Sequence, residues 1–479
     1  MNSRSKYLFK NVGILTISNF ASKILVFLLV PLYTDILSTE EVGVFDLAVS
    51  TVTLLFPILT LNIVDAIMRF SMDKAKSKKD IIAIGIRFVA LSWLIGGVIV
   101  VALKLTGLVP KIAGFELLIY LYFVFYIFYQ LLLQFSKGLE RVTDMGVAGV
   151  ISTVAMIGGN ILFLLVFRIG LHGFFLANVL AQILPTVYLF FRLKFWQYLK
   201  NFKIDKALQK EMLLYCMPLI ATTLGWWVNN TSDKYVVAFM VSVSASGLLA
   251  VSYKIPQIIN TLQGIFIQAW QISAIKEYEG KDKSEFYGKA FTLINVLMCA
   301  ACAWLIILTK PLGFLLYKKE FFEAWQFVPF LLVSCVLNSA SGFLGPILSA
   351  KKDSKSMAMS AVYGATANLI LNIALVFLIG VQGATIATVI SASIIYIVRK
   401  RAVGKDIAIS RYSIVIVTWV LLCVQAALEI YTTFWWAEAI LMALMLVLNE
   451  KDLIETVNVG KGILSKRKKK DENSSDNAD

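Results

Sequence analysis

Apolar residues arrive in this chain in blocks of about 18 or more, separated by short polar runs. A helical block of that length reaches across the ~30 Å hydrocarbon core of a bilayer. Backbone N–H and C=O groups find no water there, so each block must satisfy them within its own helix. The expected fold is therefore an all-α polytopic membrane protein. Of the 479 residues, 59% are hydrophobic and 16% charged, against roughly 25% charged in soluble domains. A soluble enzyme, a nucleic-acid-binding domain and a disulfide scaffold are excluded. The net charge of +15 does not point to nucleic acid, because the basic residues sit between the apolar blocks.

Fourteen candidate transmembrane spans follow, at about 12–37, 42–68, 81–105, 112–135, 145–168, 171–194, 211–240, 246–274, 286–309, 321–348, 357–379, 383–400, 411–430 and 432–449. Lys and Arg orient them. Of the 45 basic residues, Lys104, Lys111, Arg168, Lys310, Lys318 and Lys319 fall in or beside outer loops, and Lys23, Lys234 and Lys254 fall inside spans. All the others lie in inner segments or their flanks when the N-terminus is cytoplasmic, which puts the C-terminus there too. The outer loops are too short for a catalytic domain. The stretch 450–479, with Lys466-Arg467-Lys468-Lys469-Lys470, reads as a basic, disordered cytoplasmic tail.

The chain repeats itself. Ile169-Gly170-Leu171-His172-Gly173 returns as Ile379-Gly380-Val381-Gln382-Gly383, each time in a tight outer turn. Leu37-Ser38 with Gly43 is echoed by Val241-Ser242 with Gly247, and the basic turn at Lys137 by Lys351. These echoes pair span 1 with 7, 5 with 11 and 6 with 12. A shift of six spans preserves orientation, which predicts two parallel six-helix lobes about an axis along the membrane normal. The N-terminal lobe covers 1–194 and the C-terminal lobe 211–400. A cytoplasmic linker with an interfacial helix occupies 195–210, and spans 13 and 14 fill 401–449. Twin lobes imply transport, with a midplane site between them and rocking of one against the other.

Charges inside spans single out candidate site residues, because each costs roughly 2.5–3.5 kcal/mol or more at mid-bilayer. Lys23 is the deepest, about 16 Å along span 1, and shares a face with Asn19 and Ser22. Lys254 and Lys234 lie below the outer ends of spans 8 and 7. With Asn229 and Asn230, which cannot both face hydrocarbon, they are expected to line a cationic central cavity. Asp233 beside Lys234, Asp46 and Asp35 are rim, gate or coupling candidates. Asp65 with Arg69 or Arg87 forms either an inner gate or a plain structural pairing. The deep charges are basic, which suits an anionic head group. One histidine, His172, leaves no catalytic triad. The five cysteines, Cys299 and Cys302 among them, sit in apolar stretches as inert thiols. No phosphate-binding G-x-x-x-x-G-K-[ST] is present, so ATP is not the direct energy source. No metal or cofactor is expected, and coupling to H+, Na+ or the membrane potential stays open.

Asn19-Phe20-Ala21-Ser22-Lys23, Pro31-Leu32-Tyr33-Thr34 and Leu37-Ser38-Thr39-Glu40-Glu41-Val42-Gly43 resemble the start of Wzx-type oligosaccharide flippases. These form a polysaccharide biosynthesis protein family in the multidrug/oligosaccharidyl-lipid/polysaccharide (MOP) exporter superfamily. Asn230-Thr231-Ser232-Asp233-Lys234-Tyr235 and Ser246 to Pro256 carry the resemblance further, over essentially the whole chain. The resemblance implies a MATE/MOP-like pair of lobes with two added C-terminal helices. It implies a non-enzymatic flippase for undecaprenyl-diphosphate-linked oligosaccharide repeat units, working from the inner to the outer leaflet of the bacterial cytoplasmic membrane. The product would feed O-antigen, capsule or exopolysaccharide synthesis. The implied partners are that glycan lipid, membrane lipids, a polysaccharide polymerase and a chain-length regulator, with no nucleic acid. Relatives that flip lipid II carry cavity-facing basic residues in spans 1, 2 and 8. Lys23 and Lys254 match the first and last by position, while span 2 offers Asp46 and Asp65 before Arg69 and departs from that pattern. A lipid II-type flippase remains an alternative. A MATE-like drug/cation antiporter would want a midplane carboxylate, which the sequence does not place there. A membrane polymerase or glycosyltransferase would want a D-x-D motif or a long outer loop.

Overall fold

A computed structural model of the chain describes residues 23–200, 205–280, 282–432, 434–452 and 454. Asn19, Ser22 and the 466–470 basic run lie outside the described residues. Among those described, every regular element is helical, as hydrocarbon requires of backbone without sheet partners. Eleven helices are long and apolar enough to cross a membrane, so the chain is a multi-pass membrane protein. The expected count of fourteen is approximate for three reasons. The first span falls partly outside the described residues, the eighth is broken, and the last is a shorter apolar helix, Trp435–Leu448.

The described residues form two compact units. The first, residues 1–262, 314–324 and 369–384, opens with helical residues 23–28. It then runs through α1 (Val30–Ile36), α2 (Thr39–Leu59), α3 (Ile63–Ser71), α4 (Lys78–Thr106), α5 (Glu116–Gly138) and α6 (Val142–Asn160). After these come α7 (Gly170–Arg192), α8 (Lys206–Met240), α9 (Val243–Ser252) and the start of α10 (Lys254–Lys276). Polar residues at predicted loops start the helices. Ser38 accepts from the Glu41 N–H while the Glu41 carboxylate accepts from the Ser38 N–H, a capping box on α2. Asp205 caps α8 through the Ala207 and Leu208 N–H groups at 2.8 and 3.2 Å. Of the linker expected at 195–210, the described part is a single 3-10 turn, Phe195–Gln197, and the first turn of α8. The apolar centre of the unit gathers Ile67, Ile84, Ile127, Leu131, Phe135 and Phe195.

Two predicted spans are broken where a local rule overrides hydropathy. Span 2 divides into α2 and α3. Pro57 lacks a backbone donor, and Leu61 and Asn62 adopt the left-handed conformation, φ 50° and 54°. Span 8 divides at Tyr253, and Pro256 sits in the first turn of α10, where its missing N–H costs nothing. The fifth span stays continuous but changes winding, as α6 passes into a π-helix over Ile161–Val166.

The repeated motifs occupy equivalent positions. Gly170 and Gly380 are both left-handed, φ 54° and 64°, which glycine adopts without a Cβ penalty. The second glycine echo is a contact. A Cβ on Gly43 would overlap the Val243 carbonyl, and one on Gly247 would overlap the Thr39 carbonyl. The two copies thus meet reciprocally, α2 against α9.

The second unit covers 263–313, 325–368 and 385–479. It contains the rest of α10, α11 (Lys283–Ile307), α13 (Val328–Ala350), most of α14 (Ser354–Ile379) and α15 (Val381–Val403), α16 (Tyr412–Tyr431) and α17 (Trp435–Leu448). The short α12 (Thr309–Leu316) starts in this unit and ends in the first. Trp270 stacks on Phe343 at 4.2 Å and donates to its carbonyl at 2.9 Å. Buried Arg399 donates to Ser360 Oγ at 3.0 Å and to the Ser341 carbonyl at 2.9 Å. Asn368 donates to Ser391 at 3.3 Å. Cys299 and Cys302 are buried free thiols.

Candidate functional site

Polar groups stitch α2 to α8. Trp227 Nε1 donates to the Ser50 carbonyl at 3.1 Å and to Thr53 Oγ1 at 3.3 Å. Two helical turns on, the Tyr235 and Thr51 hydroxyls lie 2.7 Å apart, and Tyr235 reaches the Leu47 carbonyl at 3.2 Å. Beside them the Lys234 ammonium sits 2.9 Å from Asp46 Oδ2 and 3.1 Å from Oδ1. Both side chains of this pair are largely shielded. Asp233, the sequence neighbour of Lys234, takes a different partner. It is 3% exposed and accepts from the Tyr253 hydroxyl. The Tyr253 ring lies 5.8 Å from Lys234 Nζ.

The break between α9 and α10 sets Lys254 at the first residue of α10, against a pocket in the first unit. Its lining includes Val26, Tyr33, Asp46, Asn160, Phe174 and Lys254. The pocket holds about 100 Å³. Half-buried Lys254 has no hydrogen bond and no carboxylate at ion-pair distance among the described residues. It lies within electrostatic range of Asp46 and of the Lys234 and Lys23 ammonium groups. Lys23 is exposed and likewise has no described partner. The cluster thus brings three lysines together with Asp46 and Asp233. Asp46 neutralises Lys234, and Lys254 and Lys23 are left unmatched. In a low-dielectric site, such a surplus of positive charge favours an anion.

The remaining candidates are placed as follows. Asn229 is half-buried with an unpartnered Oδ1, and Asn230 is exposed and donates to the Trp226 carbonyl at 2.6 Å. Asp35 faces the surface and pairs with Lys319 at 3.5 Å. The Asp65 pairing with Arg69 or Arg87 does not form. Asp65 accepts from Asn62 at 2.9 Å and from Gln134 at 3.0 Å, while Arg87 donates to Gln209 at 3.1 Å and Arg69 is exposed. Neutral amides outcompete the arginines because α3 turns Asp65 towards α5. Asp46, a rim, gate or coupling candidate from the sequence, is among the residues that line the pocket. That carboxylate is already held by Lys234.

Sequence reasoning missed four residues. Tyr33 and Asn160 line the pocket, and each has a buried atom without a partner. In the second unit Glu429 and Glu438 are 4% and 2% exposed, and Lys310 Nζ lies 3.7 Å from Glu429 Oε1 and over the Trp325 ring at 4.7 Å. Both glutamates stand in apolar spans, and the cost of a buried carboxylate was the signal that pointed to them.

This multi-pass helical fold, with a small pocket lined by Lys254, is shared with solved transporter structures. It resembles the lipid II flippase MurJ in an inward closed conformation, with TM-score 0.69, 15% identity and coverage of 92% of this chain and 99% of that one. It also resembles an inward-facing multidrug resistance MATE family transporter of the MOP superfamily, with TM-score 0.57, 14% identity and coverage of 88% and 96%. A MOP superfamily transporter from Pyrococcus furiosus, described as having a reversed binding-pocket polarity, matches with TM-score 0.57, 14% identity and coverage of 88% and 97%. No curated protein matches the sequence significantly. The family model for polysaccharide biosynthesis proteins matches residues 8–272, and the chain belongs to that family.

Proposed function

We propose that this protein is a flippase that carries undecaprenyl-diphosphate-linked oligosaccharide repeat units from the inner to the outer leaflet of the bacterial cytoplasmic membrane. It does so by alternating access through a cationic cavity, and the glycans serve O-antigen, capsule or exopolysaccharide synthesis. One observation carries the reading: Lys254 lines the pocket without an ion-pair partner among the described residues, with the Lys23 ammonium in electrostatic range, while the Asp46 carboxylate there is already taken by Lys234. A diphosphate supplies the missing negative charge, and the lipid tail can stay in the bilayer. Membership of the polysaccharide biosynthesis family supports a glycan cargo, and a fold shared with a lipid II flippase supports a lipid-linked one. Both termini are cytoplasmic in this reading, movement is coupled to H+, Na+ or the membrane potential, and a polymerase and a chain-length regulator receive the product. A pocket of about 100 Å³ is too small for the head group, so loading requires the surrounding helices to part.

A flipping assay on the full chain in liposomes tests the proposal, with a fluorescent undecaprenyl-diphosphate trisaccharide as probe. Wild type moves the probe to the opposite leaflet. Lys254→Met slows it roughly tenfold or more, the worth of one charge-assisted contact, and Lys254→Arg restores most of the rate. Absence of movement by folded wild type sinks the reading. A second reading, a cation antiporter, draws on the Asp46 carboxylate in the pocket. It predicts drug-dependent proton or sodium flux that Asp46→Asn abolishes.

A further inference from the structure

The pocket beside Lys254 holds more hydrogen-bonding capacity than its own residues use. Tyr33 is 6% exposed and its hydroxyl has no partner; Asn160 is 2% exposed and its Oδ1 has none. Unmade hydrogen bonds on buried groups are destabilising, and here the two residues that carry them line one small pocket. Asn160 is held in place, because its Nδ2 donates to the Met156 carbonyl at 2.7 Å. It is the last residue of α6 before the π-helix Ile161–Val166, a distortion frequent at functional sites. The Tyr33 ring leans on Phe174 at 5.3 Å, and Phe174 meets Phe45 at 4.5 Å. All three rings line the pocket.

The chemistry of the two free atoms narrows the ligand. Asn160 Oδ1 only accepts, while the Tyr33 hydroxyl has a hydrogen to donate. An ionised diphosphate offers only acceptors and leaves Asn160 unsatisfied. A polyprenyl chain offers neither. A metal cation would be repelled by Lys254 and would leave the Tyr33 hydrogen unused. A sugar offers adjacent hydroxyl or acetamido groups that donate and accept together, and its apolar ring face packs against aromatic side chains. We propose that Tyr33 and Asn160 form a subsite that reads the sugar joined to the diphosphate, with Phe45 and Phe174 against its ring. This rests on the reading of Lys254 and Lys23 as the counter-charges of the diphosphate.

The test uses the full chain in lipid nanodiscs and two kinds of probe. One is farnesyl diphosphate. The other is farnesyl diphosphate carrying a single glucose, galactose or N-acetylglucosamine. The quantity read is the ratio of sugar-bearing to bare affinity. Wild type binds at least one sugar-bearing probe roughly tenfold tighter than the bare one. The isosteric Tyr33→Phe lowers that ratio roughly fivefold, the worth of one hydrogen bond, and Asn160→Leu lowers it at least as much. Lys254→Met weakens both kinds of probe together. The subsite is overturned if wild type binds the bare probe and no sugar improves on it, or if both variants keep the wild-type ratio; in either case the flippase reading survives. If folded wild type binds neither kind of probe, the reading of the lysines falls and takes the subsite with it.

Discussion

At the level of single residues, the Asp46–Lys234 pair illustrates how a buried charge is tolerated. Each side chain is less than a quarter exposed and they meet at 2.9 Å. Removing one partner strands the other, which costs about 3–5 kcal/mol for a well-buried pair and less where some water reaches it. Asp46→Asn is therefore expected to lower the thermal unfolding midpoint of the purified protein, and the double change Asp46→Leu with Lys234→Met to recover most of the loss. A double variant no more stable than Asp46→Asn would show that the pair does not act as a unit. The sequence placed Lys234 beside Asp233 and made that carboxylate its obvious neutraliser. In a helix, consecutive residues point in different directions, so Asp233 turns to Tyr253 and Lys234 turns to α2. Lys254 stood out by its depth in the eighth span, and that Asp46 lines the same pocket was not visible in the chain. Lys23→Ala is expected to cut surface polysaccharide sharply at unchanged protein level, measured by whole-cell glycan staining.

At the level of elements, the α2–α9 crossing depends on two glycines. A side chain at Gly43 or Gly247 would run into the backbone carbonyl of the facing helix, and backbone cannot move aside as a flexible side chain can. Gly43→Val and Gly247→Val should each prevent this approach. The Thr39 and Ser244 hydroxyls lie 2.5 Å apart across the crossing, close enough for a designed crosslink. A Thr39→Cys, Ser244→Cys pair is expected to form a disulfide under oxidant, to stop flipping while oxidised and to recover under reductant. Unchanged flipping in the fully oxidised pair would show that this crossing stays closed throughout transport. The repeat itself was legible, since turn glycines and capping serines are local signals. That its two copies touch each other was not. Nor were the breaks at Leu61–Asn62 and Tyr253, where proline and left-handed backbone interrupt stretches that hydropathy alone reads as continuous.

For the whole molecule, most of the eleven described helices long and apolar enough to span a membrane are joined by short connections. The proposed orientation puts Ala113 outside and Ala75 inside. In a background where half-buried Cys423 is replaced by Ser, Ala113→Cys should react with an impermeant thiol reagent on intact cells. Ala75→Cys should react only after permeabilisation, and the opposite pattern would invert the topology. In the second unit, partly exposed Lys310 meets the buried carboxylate of Glu429, with buried Glu438 in electrostatic range of it. Lys310→Met is expected to destabilise the protein by about 1–3 kcal/mol, discounted because Lys310 is about one-third exposed. Detergent denaturation of the purified chain reads this directly.

The sequence by itself determined the membrane-spanning helical class, nearly all of the spans, the internal echo and the lysines that stand out in the first, seventh and eighth. Those properties are written in local runs of residues, because a hydrocarbon solvent acts on each segment independently. The tertiary structure decided that Lys234 meets Asp46, which glycines bring helices together, and that Tyr33 and Asn160 line one pocket, each with a bond unmade. Whether a polar atom is satisfied depends on neighbours far away in the chain, and only the packed fold supplies them.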